Sequence, residues 1–200
     1  MVRVFAAGDF HGDKHIAKRL ADEACRQKAD IIILNGDIVE EDSPHGIVNY
    51  FIKTGKPVFL VPGNHDWFAT DFLAAKYNIP NLHGKMANVG NIAIVGSGAN
   101  MAMMSERDIY YSIKKLKTVQ KTLLVSHVHP SGTLMESFSQ FVKGSIGLRR
   151  AIDATKPDVV ICGHVHEAEG IEEKVGNTLV VNVGRKGRLI ELRALLLLRF

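Results

Sequence analysis

Short apolar runs, many of them β-branched, alternate along this chain with segments of helical period. Val2–Ala7 reads as a strand, and Asp13–Lys28 follows as a helix with Ile16, Leu20 and Ala24 four apart on one face. Asp30–Asn35 (Asp-Ile-Ile-Ile-Leu-Asn) is a continuous apolar run, the pattern of a strand covered on both faces. A short helix around Gly46–Thr54 leads through Gly55 to the strand Pro57–Val61, and a further helix covers about Thr70–Tyr77. This β-α-β-α-β alternation predicts parallel strands joined by helical crossovers.

The second half reads differently. Met86–Val89 and Asn91–Val95 look like paired strands joined through Gly90. Ser105–Leu116 is a helix with Ser105 as N-cap and Glu106 and Asp108 in its first turn. Thr122–Ser126 is a strand, Ser145–Ala154 a helix and Asp158–Cys162 a strand. Gly170–Val175, Thr178–Val183 and Leu189–Leu192 read as an antiparallel meander turning at Gly176-Asn177 and Gly184–Gly187. Parallel units first and a meander last predict two sheets packed face to face with helices outside. No linker, repeat or low-complexity segment divides residues 1–200, so the expectation is a single domain.

Composition changes this picture little. The 200 residues are 46% hydrophobic and 23% charged, enough for a core and without a disorder signature. The net charge of +4 is dispersed, with short groupings such as Lys114-Lys115-Leu116-Lys117 and Arg185-Lys186-Gly187-Arg188. That surface is compatible with anionic substrates and weighs against a stable nucleic-acid complex. Cys25 and Cys162 read as two small buried hydrophobes rather than a disulfide or a nucleophile. The run Leu195–Leu198 is too short to span a bilayer, and Met1 leads straight into a strand. A reducing, cytoplasmic setting is the default expectation. The aliphatic tail Ala194–Phe200 could finish a strand or cover a subunit interface, and it is the slender ground for expecting a homodimer.

The chemistry lies in five polar clusters, each directly after an apolar run: Asp9-Phe10-His11-Gly12, Gly36-Asp37, Gly63-Asn64-His65-Asp66, Ser126-His127 and Gly163-His164-Val165-His166. Strand ends in an α/β protein converge on one sheet edge, so these residues can meet. Asp9 and His11, two apart, project to the same side at a strand end. Alone, that pair reads more readily as a surface loop than as a metal site. Asp37 ends so apolar a strand that an unpartnered carboxylate there is costly, although a turn or N-cap aspartate is an equal reading. Asn64 offers a neutral oxygen and His65 a group titrating near neutrality, while Asp66 either orients His65 or caps the next helix. His127 and His129 could both coordinate. His127 is nearer the strand end, and His129 reads as a loop histidine at the site rim. His164 and His166 can bind one ion or serve two adjacent ones. His15, His45 and His83 read as solvent-facing or capping, and Met101, Met103 and Met104 as fillers. The pooled set of Asp9, His11, Asp37, Asn64, His127, His164 and His166 is too large for one tetrahedral zinc. It suits two divalent transition-metal ions sharing Asp37, roughly 3.5–4 Å apart. Nitrogen and oxygen donors without thiolate favour Mn, Fe, Zn or Ni over Ca or Mg.

As an ordered set, these clusters closely resemble the calcineurin-like metallophosphoesterase superfamily, from Val2 to about Gly184. Ser126-His127-Val128-His129-Pro130, Gly144-Ser145 and Ile161–Ala168 look most like its small microbial Icc-related phosphoesterases. The resemblance implies an α/β fold, a four-layer α/β/β/α sandwich of two mixed sheets flanked by helices. It implies a first metal held by Asp9, His11, Asp37 and His166, and a second held by Asp37, Asn64, His127 and His164. His65 would be a non-ligand catalytic histidine, and a metal-bridging hydroxide would hydrolyse a small phosphomonoester or phosphodiester, cyclic nucleotides included. Two departures touch the rim: relatives usually carry Asn-Pro-Gly-Ser where Asn182-Val183-Gly184-Arg185 stands, and a second proline where His129-Pro130 stands. The competing readings are a ligand-poor binding scaffold, disfavoured because every expected ligand is present, and a DNA nuclease, which usually carries added domains.

Overall fold

The computed structural model describes residues 1–40, 46–116, 118–139 and 141–193. Its first sheet holds β1 (Val2–Ala7), β2 (Ile31–Asn35), β3 (Val58–Val61) and β10 (Arg188–Leu192) in the order β10-β1-β2-β3. The second sheet is built from β4 (Lys85–Val89), β5 (Ile92–Ser97), β6 (Lys121–Ser126), β7 (Val159–Cys162), β8 (Glu172–Val175) and β9 (Thr178–Asn182), ordered β4-β5-β6-β7-β9-β8. Both sheets are mixed. β1-β2-β3 and β5-β6-β7-β9 run parallel, while β10 and the outer strands β4 and β8 pair antiparallel.

The alternation of side chains along each strand creates the layers. In β2, Ile32 and Leu34 face one way and Ile31 and Ile33 the other, and all four are buried. Ile32 and Leu34 join Phe5, Val58 and Leu60 under α1 (Lys14–Arg26), α2 (Ile47–Ile52) and α3 (Ala69–Tyr77). Ile31 and Ile33 join Val4, Phe59, Ile94, Leu123, Val125 and Ile161 between the sheets. On the far face, Leu124, Val160 and Cys162 pack with Ile109 of α4 (Glu106–Lys114) and Leu148 of α5 (Ile146–Thr155). The result is the helix-sheet-sheet-helix order expected from the sequence. Burying each such aliphatic side chain contributes about 1.5–3 kcal/mol, and β2 gains this on both faces at once. The helices start where expected: Asp13 accepts from the backbone N–H of His15 at 2.8 Å and Ile16 at 3.1 Å, and Ser105 accepts from that of Asp108 at 3.2 Å.

The expected meander is corrected in its last strand. β8 and β9 form a hairpin, but β10 crosses to the first sheet and pairs antiparallel with β1, Val4 opposite Ile190. Ile190 and Leu192 thereby enter the core between the sheets, where they join Val4 and Ile31. Cys162 is buried as expected, its Sγ 3.4 Å from the Met135 sulfur, but Cys25 is exposed. Among the described residues, no helix is long and apolar enough to cross a membrane. His45 and the 194–200 tail, with its bearing on a dimer, lie outside the described residues.

Candidate metal centre

All five clusters leave their strands at one edge of the two sheets. Backbone geometry marks the place. Asp9, His11, Asp37 and His164 all adopt positive φ (57°, 46°, 49° and 69°), a region that non-glycine residues avoid. Such strain persists where surrounding contacts over-determine it, and it gathers here at the residues whose side chains must converge. Gly36 lets the strand ends close up, because a Cβ there would stand 2.6 Å from His127 Nδ1 and 2.7 Å from the Gly63 backbone.

The side chains form two groups around one oxygen. Asp37 Oδ2 lies 3.7 Å from His11 Nε2 and 3.3 Å from His127 Nε2. On one side, ligand atoms of Asp9, His11 and His166 lie within 4.8 Å of one another, with His166 Nε2 3.7 Å from Asp9 Oδ1. On the other, Asp37, His127 and His164 do the same, and Asn64 Oδ1 lies 3.0 Å from His127 Nε2. The geometry thus brings together all seven residues expected to be ligands. His127 Nδ1 stands 2.9 Å from the Asn35 carbonyl oxygen and donates to it in the tautomer that leaves Nε2 free for the centre.

The donors suit divalent cations. His11 Nε2 is buried without a hydrogen-bond partner among the described residues, and its distance to Asp37 is too long for a hydrogen bond. Two carboxylates, an amide oxygen and four imidazoles meet here with no thiolate. That set fits transition metals better than Ca or Mg.

Without a cation the charges pair with one another. Burial disfavours charge on His127, yet the Asp37 carboxylate beside it lifts the imidazole to about 9. Burial likewise opposes the Asp37 anion, and the His127 charge outweighs it, holding the carboxyl below its usual range. His164, desolvated and next to the His127 charge, is lowered to about 4, so its ring is neutral and its lone pair is available.

Several neighbours differ from expectation. Asp66 neither orients His65 nor caps α3. Its buried carboxylate accepts from the backbone N–H of Ile38 at 2.6 Å and Gly63 at 2.7 Å, tying the Asp37 loop to the Asn64 loop. His129 is no rim residue but fully buried, with both ring nitrogens unpartnered among the described residues. Desolvation lowers its pKa, so it is neutral. His15 is exposed as expected, but His83 is half-buried, its Nδ1 accepting from the Gly98 N–H at 3.0 Å.

Sequence reasoning missed Glu40. Its carboxylate reaches His11 Nδ1 at 2.8 Å and His65 Nδ1 at 3.2 Å, bracing an expected ligand and the expected non-ligand histidine together. A carboxylate three residues after Asp37, on the same strand exit, was the available signal. His65 itself stands at the mouth, its side chain 47% exposed, while its backbone N–H donates to Asp37 Oδ1 at 2.9 Å.

A family model described as calcineurin-like phosphoesterase matches residues 2–168. No curated protein gives a significant sequence match. Among solved structures, TT1561 of Thermus thermophilus is similar with a TM-score of 0.73 at 18% identity, over 96% of this chain and 99% of that one. A dimetal phosphatase from Danio rerio gives 0.66 at 11% identity, over 90% of this chain and 86% of the other. An archaeal phosphodiesterase gives 0.54 at 17% identity, over 96% and 100%. At such identities these likenesses concern the fold.

Proposed function

The chain belongs to the calcineurin-like phosphoesterase family, and from that premise we propose that it hydrolyses small phosphomonoesters or phosphodiesters at a two-cation centre on the shared sheet edge. The observation that carries this is the single carboxylate oxygen of Asp37 facing His11 on one side and His127 on the other. A carboxylate so placed can serve two ions at once. In this reading Asp9, His11, Asp37 and His166 hold one divalent cation, and Asp37, Asn64, His127 and His164 hold the other. Mn, Fe, Zn and Ni all suit the donors. When bound, such a pair supplies Lewis acidity that lowers the pKa of a water and offsets charge on phosphoryl oxygens.

The chain's own residues do the rest. Glu40 accepts from His65 Nδ1, which fixes the ring and leaves Nε2 to act on substrate. His65 donates its Nε2 proton to the departing ester oxygen, a role worth about 10²–10⁴-fold. Asp66 holds the Asn64 loop against the Asp37 loop, so the amide oxygen and carboxylate keep their spacing. The complete ligand set argues against an inactive scaffold. Residues 1–200 are read as one domain, because β10, near the end, pairs with β1 at the start.

Metal analysis of purified protein tests the reading, followed by assays on p-nitrophenyl phosphate and its bis-ester with Mn added. Two transition-metal ions per chain and hydrolysis of at least one ester are expected. A protein that neither takes up metal nor cleaves either ester would end the proposal.

A further inference from the structure

Beside His166 lies a small cavity of about 100 Å³ lined by His166, Glu169, Gly184 and Arg185. That is well below the size of a site for a whole ligand, so it can take only one part of a substrate. Its polar groups are unusual for a surface nook. Arg185 Nε donates to the Asp9 carbonyl oxygen at 2.7 Å, anchoring the guanidinium against the backbone of an expected metal ligand. Its two terminal amino groups have no partner among the described residues, and Arg185 is in no ion pair there. In the same lining, Glu169 Oε1 is buried with no hydrogen-bond partner among the described residues. Gly184, at φ +39°, leaves that carboxylate room, since a Cβ there would stand 2.9 Å from Oε1. A buried carboxylate oxygen without a donor is costly and calls for an explanation.

Unpartnered donors and an unpartnered acceptor lining one small cavity call for a group that both accepts and donates. A second phosphate would meet the Glu169 charge, and an ammonium would meet the Arg185 charge. A hydroxyl pair answers both. Resting on the hydrolase reading above, we infer that Glu169 and Arg185 form a subsite for a vicinal diol on the alcohol portion of the phosphoester, so that the substrate is a polyol or sugar phosphate. The hydroxyl hydrogen goes to Glu169 Oε1, and a hydroxyl oxygen accepts from the Arg185 amino groups.

Calorimetric titration of the Mn-loaded protein with glycerol 1-phosphate and with propyl phosphate tests this, since the two differ only in the diol. About tenfold or more tighter binding of glycerol 1-phosphate is expected, from hydrogen bonds to charged groups. Glu169→Leu and, separately, Arg185→Met should bring the ratio towards one. Metal content is measured alongside, because Arg185 also touches the Asp9 backbone. A wild-type ratio near one overturns the inference, as does a tenfold ratio surviving in a metal-loaded Glu169→Leu protein. If Arg185→Met loses metal, Glu169→Leu alone decides. Binding of neither ester, with no cleavage of nitrophenyl esters, sinks the hydrolase reading and this inference with it.

Discussion

The two halves of the centre are built differently. Around Asp37 and His127 the site is dry, with side chains 2% and 0% exposed. Around His11 and His166 it opens to solvent, at 19% and 44%, and His65 beyond them reaches 47%. The dry half stores charge, since a buried carboxylate and a buried imidazole must neutralise each other when no cation does. The open half is the side that solvent reaches, and in the proposed reaction it is where a substrate would enter. One carboxylate, Asp37, belongs to both, which makes a dry anchor and a wet mouth parts of one site.

The strongest way to break this contrast is to remove the shared group. Asp37→Asn should strip both cations and take turnover below detection, more than the 10²–10³-fold or so lost with a single oxyanion donor. Metal content and nitrophenyl ester hydrolysis measured on the same sample check it. An Asp37→Asn protein that kept both ions would mean the halves are independent. Next in size, His65→Ala acts on the mouth alone. It should retain metal and lower kcat about 10²–10⁴-fold. Glu40→Gln, which loosens His65 and His11 without removing either, should cost less, about 10–100-fold.

A fourth test uses pH. Cation uptake by the dry half must displace the His127 proton, held up to about 9. Affinity there should rise about tenfold per pH unit towards 9, for one proton released. The open half should respond less, which metal titrations at several pH values would separate. In metal-free protein the sign reverses. The His127 pKa is raised from 6.5 to about 9, so its pairing stabilises the fold fully below about 6.5 and is lost as pH rises through 9. Thermal melts of metal-free protein over that window should show this contribution fading. The smallest effect is expected at His129. It is as buried as His127, but neither nitrogen has a partner among the described residues. His129→Leu should therefore change stability by less than about 1 kcal/mol or improve it. A loss of several kcal/mol in a melt would show that those nitrogens are satisfied after all.

Much of this was legible in the chain. Apolar runs such as Ile31–Leu34 announce strands covered on both faces, and a polar cluster after each run announces a functional edge. The departures share a cause. Asp66 reads by its nearest neighbours in sequence, yet its carboxylate binds the backbone of Ile38, 28 residues away. Glu40 gains its role only when His11 and His65 arrive from different strands. His129 and His83 read as surface groups because nothing local says which loop will be covered. β10 follows a hairpin pattern and still changes sheets, because the apolar face of Ile190 and Leu192 finds its place between the layers.

By itself the sequence determined which segments become strands and helices, and which residue types stand at their ends. Those follow from side-chain periodicity and local hydrogen-bonding preference, which act over a few residues. Only the tertiary structure decided that Asp37 faces His11 and His127 together, that one half of the centre is dry, and that Glu169 and Arg185 share a cavity. Burial and long-range distance depend on how whole layers pack, and no local pattern encodes them.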